Sequence, residues 1–228
     1  MARKGDARNV SDSYDKIYKS IEEHIGTEKA NRVSAYLDMV LERNEHINLT
    51  AVRDRDEALV KHVVDSLAII DLPEFKEAKT IIDVGTGAGF PGALLAIACP
   101  EKEFVLLDST LKRLKVIDEF SEVLGIQNIK TLHARAEEIN RKPPHGGAYD
   151  LCISRAVANL NTLSTWCLPF VKKGGHFISY KGENYGAELD AAATTIKRLN
   201  GKFERVEEYK DVPEEIAGHV LLIVSKKA

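Results

Sequence analysis

The chain has 228 residues, 44% of them hydrophobic and 29% charged, which is enough to bury a real core as one large domain or one domain with an appendage. Its net charge of -3 excludes a uniformly basic nucleic-acid binder while leaving room for a local basic patch. The longest apolar runs, Leu67 to Leu72 and Ala93 to Cys99, fall well short of the roughly 20 residues that span a bilayer.

In chain order, the opening Met-Ala-Arg-Lys stretch lacks the apolar segment of a secretory leader, and residues 1 to about 10 read as a frayed terminus. From Ser13 to Ile25 the apolar residues Tyr14, Ile17, Tyr18, Ile21 and Ile25 recur at helical spacing. Thr27 reads as the cap of a second helix that carries Ala30, Val33, Leu37, Val40, Leu41 and Asn44 on one stripe. A polar joint follows from Asn44 to Asp54. Asp54 and Glu57 then form a capping-box pattern, opening a helix with Leu59, Val63, Leu67 and Ile70 on its buried side, which stops before Pro73.

The pattern changes near Lys79. Thr80 to Val84 reads as a buried strand, and further strands are expected at Phe104–Leu107, Ile129–His133, Tyr149–Ser154 and His176–Tyr180. Helices fit at about 92–98, 111–124, 159–170 and 186–199. Such alternation specifies a largely parallel sheet with helices on both faces. Phe203–Tyr209 and His219–Val224 are joined by too short a loop for a crossover, so they read as an antiparallel pair. The expectation is an α/β, doubly wound, mostly parallel seven-stranded sheet of the S-adenosylmethionine-dependent methyltransferase type. It divides into an N-terminal helical extension (1–78) and a cofactor-binding domain (79–228). Cys99, Cys152 and Cys167 lie scattered in apolar segments without C-x-x-C spacing, so buried reduced thiols are expected, with no zinc site and no disulfide framework. A cytoplasmic monomer is the corresponding expectation for location and assembly, with no membrane attachment.

The run Ile82-Asp83-Val84-Gly85-Thr86-Gly87-Ala88-Gly89-Phe90-Pro91-Gly92 joins the first strand to a helix. Glycines there permit a tight turn and close approach of a ligand. A P-loop would need a Gly-Lys-Ser/Thr ending, which is absent. A dinucleotide fold would need a third glycine where Phe90 stands. S-adenosylmethionine carries no phosphate and tolerates that bulk, and Asp83 suits its cationic end. A purely structural tight turn remains an alternative. Asp108 ends the second strand about 20 residues further on, where ribose hydroxyls are received in nucleoside-binding folds; an Asp at a strand end is often only a helix cap, but here Ser109 or Thr110 could cap instead. Arg135, Ala136 and Glu137 follow the third strand, where backbone or Glu137 would hydrogen-bond an adenine edge; a solvated, charged helix start is the alternative for the same residues. Arg155 ends the fourth strand at the switch point, where cofactor or substrate sits.

The residues at the end of the fourth strand narrow the site chemistry. Ser154-Arg155-Ala156-Val157 replaces the Asn/Asp-Pro-Pro-aromatic pattern of amino-group methyltransferases. Cys152 lies inside its strand and is a poor nucleophile for carbon methylation. An acceptor needing little help remains, and guanine N7, a lone pair bearing no proton, is one.

The motifs Asn48-Leu49-Thr50-Ala51-Val52-Arg53, Lys61-His62-Val63-Val64-Asp65-Ser66-Leu67, Asp83 to Gly92 and Ile153-Ser154-Arg155-Ala156 resemble the bacterial small-subunit rRNA guanine-N7 methyltransferases, the glucose-inhibited division protein B family. The likeness extends from about Tyr14 to Val224. It implies methyl transfer to N7 of one guanine of 16S rRNA near the decoding site, within the small ribosomal subunit or its precursor. It also implies cofactor contacts at Gly85, Phe90, Ala136, Glu137 and Arg155, with Asp108, Ser109 and Thr110 on the ribose side; Gly87 and Gly89 complete the turn. His62 and Asp65, three apart on one helix, could act together near the substrate or simply dock the helix. Lys112, Arg113, Lys115, Arg135, Arg155 and Lys181 could form a basic rim that touches phosphates. Two other classes stay open: an NAD-dependent oxidoreductase, and a noncatalytic RNA-binding protein on a cofactor fold.

Overall fold

The computed structural model describes residues 6–227, with side chains from Tyr14 onward. Strands β1 (Thr80–Val84), β2 (Glu103–Asp108), β3 (Ile129–His133), β4 (Tyr149–Arg155), β5 (Val171–Lys181), β6 (Gly201–Glu208) and β7 (Val220–Lys226) form one sheet in the order β3-β2-β1-β4-β5-β7-β6. β1 to β5 pair in parallel, while β7 runs antiparallel to both β5 and β6. The short Lys210–Gly218 connection dictates that reversal, as expected from its length. A dinucleotide sheet keeps its last strand parallel in the order 3-2-1-4-5-6, so the inserted β7 separates this fold from a nicotinamide-binding one.

The helices are α1 (Asp6–Ile25), α2 (Thr27–Asn44), α3 (Arg55–Ala58), α4 (Asp65–Leu67), α5 (Pro73–Glu77), α6 (Gly92–Ala98), α7 (Leu111–Val123), α8 (Ala136–Ile139), α9 (Leu160–Cys167) and α10 (Tyr185–Arg198). Val33, Leu37 and Val40 of α2 enter one apolar core with Leu94 of α6, Ile117 of α7 and Ile81 of the sheet. The other core lies on the opposite face and joins Leu163 of α9 and Ile196 of α10 to Ile82 and Cys152. All three cysteines are buried. No helix among the described residues is long and apolar enough to cross a membrane.

Several local expectations shift. The frayed segment is helical from Asp6, because a helix once nucleated gains a backbone bond for each residue added beyond its apolar face; residues 1–5 lie outside the described residues. Gly26, not Thr27, caps α2: the chain reverses through one residue at φ +89°, which glycine allows, and Thr27 falls inside the helix. The capping box is half made. Asp54 accepts the Glu57 N–H at 2.8 Å, whereas the Glu57 carboxylate turns to Lys61 at 2.6 Å. The single helix expected from there to Ile70 is interrupted by a π-helical stretch at Leu59–Val64, between α3 and α4. β5 begins five residues before His176, at a register shift opposite Tyr149 and Leu151.

Candidate active site

The strand order reverses between β1 and β4, and a cleft of about 450 Å³ opens at the carboxyl ends of the strands there. That volume is within the range of small-molecule sites. Its floor is the glycine turn. The Gly85 and Thr86 amides donate to the Leu107 carbonyl at 2.8 and 3.1 Å, which ties the turn to β2. Gly85 has φ +77°, and a Cβ there would run into Val157. Only glycine satisfies both demands, so the turn forms a glycine cradle with Val157 packed directly against it.

Asp108 closes the floor. Its Oδ2 accepts the Gly87 N–H at 3.0 Å and its Oδ1 the Thr110 N–H at 2.8 Å. Arg113 approaches Oδ2 at 3.8 Å. Each carboxylate oxygen has a further lone pair, so Asp108 can brace the turn and still accept a hydroxyl on its cleft side. Both sequence alternatives for this residue are thus compatible in one side chain. Asp83 has a different place from the one expected. It is fully buried, its Oδ2 accepts the Gly92 N–H at 2.9 Å, and burial pushes its carboxyl up to about 6. It fastens the turn to α6 from beneath and is not among the residues lining the cleft.

The cleft wall brings most of the predicted residues together. Gly85, Gly87, Phe90, Asp108 and Ser109 line one side; Arg113, Arg135, Ala136 and Glu137 line another; His62 and Arg155 close the back. Gly89 is buried against Tyr36 and Ala93, and the Tyr36 hydroxyl donates to the Ala88 carbonyl at 2.9 Å. Thr110 caps α7 without lining the cleft, and Lys112 is exposed on α7. Lys181 does not join the basic rim: its ammonium pairs with Glu188 at 2.7 Å and donates to the Ala158 carbonyl at 2.8 Å. Sequence reasoning had no assignment for Trp166, at the end of α9, or for Val157, which also line the cleft.

His62 and Asp65 do not meet. A π-helical stretch winds with more residues per turn, so the three-residue spacing no longer gives one face. His62 stacks on Phe90 with ring centroids 4.7 Å apart, and its Nε2 lies 2.7 Å from Thr50 Oγ1. Thr50 also accepts the Val52 N–H at 3.1 Å, and Asn44 holds its loop by accepting the Leu49 and Thr50 amides. Burial, then the neighbouring Arg155, lowers the His62 pKa to about 4, so the ring is neutral at physiological pH. Asp65 turns instead to the sheet. It accepts from Arg155 Nη1 at 2.6 Å and from the Tyr209 hydroxyl at 3.0 Å, with His219 Nδ1 also at 3.0 Å. Arg155 Nη1 further donates to the Lys61 carbonyl at 3.0 Å, and its guanidinium lies 5.8 Å from the Phe90 ring centroid. The helical extension is thereby locked to the ends of β4, β6 and β7.

The sheet with its antiparallel β7 and the glycine cradle braced by Asp108 define the class: the chain is an S-adenosylmethionine-dependent methyltransferase. Solved structures share the architecture at low identity. A ribosomal protein L11 methylase from Lactobacillus delbrueckii subsp. bulgaricus superposes with a TM-score of 0.53 at 16% identity, over 74% of this chain and 79% of that one. The O-methyltransferase TomG of Streptomyces achromogenes, solved in complex with SAM, does so with a TM-score of 0.56 at 14% identity, over 85% and 90%. Sequence similarity is more specific. The chain belongs to the GidB family, rRNA small subunit methyltransferase G, whose pattern matches residues 29–217. Ribosomal RNA small subunit methyltransferase G of Alkaliphilus metalliredigens is 42% identical over 205 residues, 89% of this chain and 84% of that protein. The protein of the same name from Clostridium perfringens strain 13 is 41% identical over 211 residues, 92% and 88%.

Proposed function

We infer that the chain methylates 16S rRNA of the small ribosomal subunit or its precursor, at N7 of one guanine near the decoding site. Membership of the family supports the rRNA substrate. The observation that carries the acceptor atom is the state of His62: the imidazole in the cleft is neutral, with a pKa lowered to about 4, and its Nε2 is engaged by Thr50. Such a ring is poorly suited to take a proton near neutral pH, and guanine N7 presents none to be taken.

S-adenosylmethionine, when bound, supplies a methyl group activated on a sulfonium. The chain's residues then have the tasks of placement and electrostatics. Gly85, Gly87 and Gly89 shape the cradle, with Phe90 behind it. Asp108 and Ser109 form the ribose side, with the Thr110 N–H holding the Asp108 carboxylate from behind, and Ala136 and Glu137 form the adenine side. Arg155 closes the back of the cleft with its charge neutralised by Asp65, so it holds position without setting a bare cation against a sulfonium. Arg113, Arg135 and Lys112 form the part of the rim available to RNA phosphates near the cleft.

The test is transfer of tritiated methyl from S-adenosylmethionine to small subunits that lack the modification, followed by mapping of the labelled nucleotide. Label on guanine N7 is expected. Label on an exocyclic amine or a pyrimidine carbon overturns the acceptor assignment, and no transfer to subunits overturns the substrate.

A further inference from the structure

At the opposite end of the sheet from the cleft, three charged segments of chain converge beside Pro169. They are the loop after α8, the α10–β6 turn and the end of β7. They enclose a depression of about 360 Å³ whose charged lining is Arg141, Arg198 and Lys226. Lys142, Lys197 and Lys227 flank it in sequence, and residues 140–148, 197–203 and 225–227 contain no Asp or Glu at all. In a chain of net charge -3 this is a marked local excess. Two acids just beyond these segments are engaged elsewhere: Asp150 with Lys172, and Glu204 with Lys202 and Ser225.

The three cations are differently held. Lys226 is half-buried and its ammonium donates to the Leu199 carbonyl at 2.8 Å and the Leu168 carbonyl at 3.3 Å, which fixes it in place with a third N–H to spare. Arg141 and Arg198 are exposed, with no hydrogen bond or ion pair among the described residues. Burial, and then the nearby Arg141, push the Lys226 ammonium below its usual range. No carboxylate contacts the Lys226 ammonium among the described residues, so a bound anion would find both it and Arg141 free of a counter-charge.

The depression is also linked to the cleft. Arg135 lines the cleft and Arg141 lines the depression, and α8 is the only element between them. Asn140 pins this connection to α9, donating to the Thr165 and Trp166 carbonyls at 3.0 Å each. The two arginines are six positions apart, at most about 20 Å of chain even if fully extended. Although the cleft and the depression lie at opposite ends of the strands, that span is short enough for one RNA backbone to reach both arginines.

We propose that the Arg141, Arg198 and Lys226 depression is a second RNA site, which grips backbone phosphates of the rRNA beyond the nucleotide being methylated. The proposal rests on the rRNA reading above. Arginine suits the task through its fixed fork of donors, and contacts of this kind position an RNA without reading its sequence. A cleft lined in part by the carboxylates of Asp108 and Glu137 gains from a grip placed outside it.

The test uses full-length protein and small ribosomal subunits lacking the modification. In the double variant Arg141→Gln/Arg198→Gln, subunit affinity should fall on the order of tenfold, and the slope of log affinity against log salt should shrink by about one for each cation lost. KM for subunits should rise with kcat and S-adenosylmethionine affinity unchanged. A control pair on another surface, Lys19→Gln/Lys210→Gln, changes net charge equally and should do neither. Unchanged affinity and salt slope in a variant that melts like wild type, or equal losses in the control pair, overturn the proposal and leave the rRNA reading standing. Wild-type protein that neither binds nor methylates the subunits overturns both.

Discussion

The Asp65–Arg155 pair should behave as a single buried unit, and its removal should be costly in a way that can be measured. The Arg155 side chain is 13% exposed and that of Asp65 4%, with their atoms 2.6 Å apart. Asp65→Leu strands the guanidinium, leaving it only the Lys61 carbonyl, and leaves Tyr209 and His219 without their shared acceptor. Breaking a buried pair by removing one partner costs about 3–5 kcal/mol. For a chain of this size that corresponds to roughly 6–20 °C in melting temperature. Arg155→Met should cost a similar amount. The double variant, with neither charge left, should lose much less than the sum, and a urea-denaturation cycle would report the coupling. Burial works to raise the Asp65 pKa, but the His219 contact and the Arg155 charge outweigh it and hold the carboxyl below its ordinary value. A depressed carboxylate stabilises the fold above its unfolded pKa of about 3.9, and that contribution is lost as pH falls through the folded value. Wild type should therefore shed this stability in acid, and Asp65→Leu should lack that component. Additive single variants, each costing under about 1 kcal/mol, would refute the view that this network locks the helical extension to the sheet.

His62 and Gly85 give further expectations. Single-turnover methyl transfer should be nearly flat between about pH 6.5 and 9 in both wild type and His62→Asn, because the buried imidazole stays neutral there; a rising limb in wild type that disappears in the variant would make His62 a general base. The same lowered pKa means that stability attributable to His62 is present above about 6.5 and declines as pH falls toward 4, a slope that His62→Asn should lose in acid denaturation. Gly85→Val combines a positive φ with a clash against Val157, so calorimetry should show S-adenosylmethionine binding abolished. Retained binding heat would mean that the cradle can open at little cost.

The sequence by itself carried the parallel α/β order, the antiparallel closing pair, the glycine turn and Asp108 at the next strand end. These depend on side-chain period, turn chemistry and spacing along neighbouring strands, all of which are local or nearly so. Arg155 was legible for the same reason, since it ends β4 at the switch point of the sheet, whereas Phe90 and Glu137 were singled out by the resemblance to the family. What remained hidden depends on partners distant in the chain. Asp65 finds Arg155, Tyr209 and His219 at separations of 90, 144 and 154 residues, which no periodicity encodes. The π-helical stretch that parts His62 from Asp65 leaves the residue pattern of an ordinary helix intact and changes only its winding. Lys181 looked like a rim cation until α10 brought Glu188 against it, and Asp83 looked like a ligand group until the packing of α6 sealed it in. The basic depression is built the same way, from three short segments that are each ordinary on their own. Only the tertiary fold decides which charges are neutralised by a neighbour and which are left facing outward, because Coulomb energies depend on distances in space and not on separations along the chain.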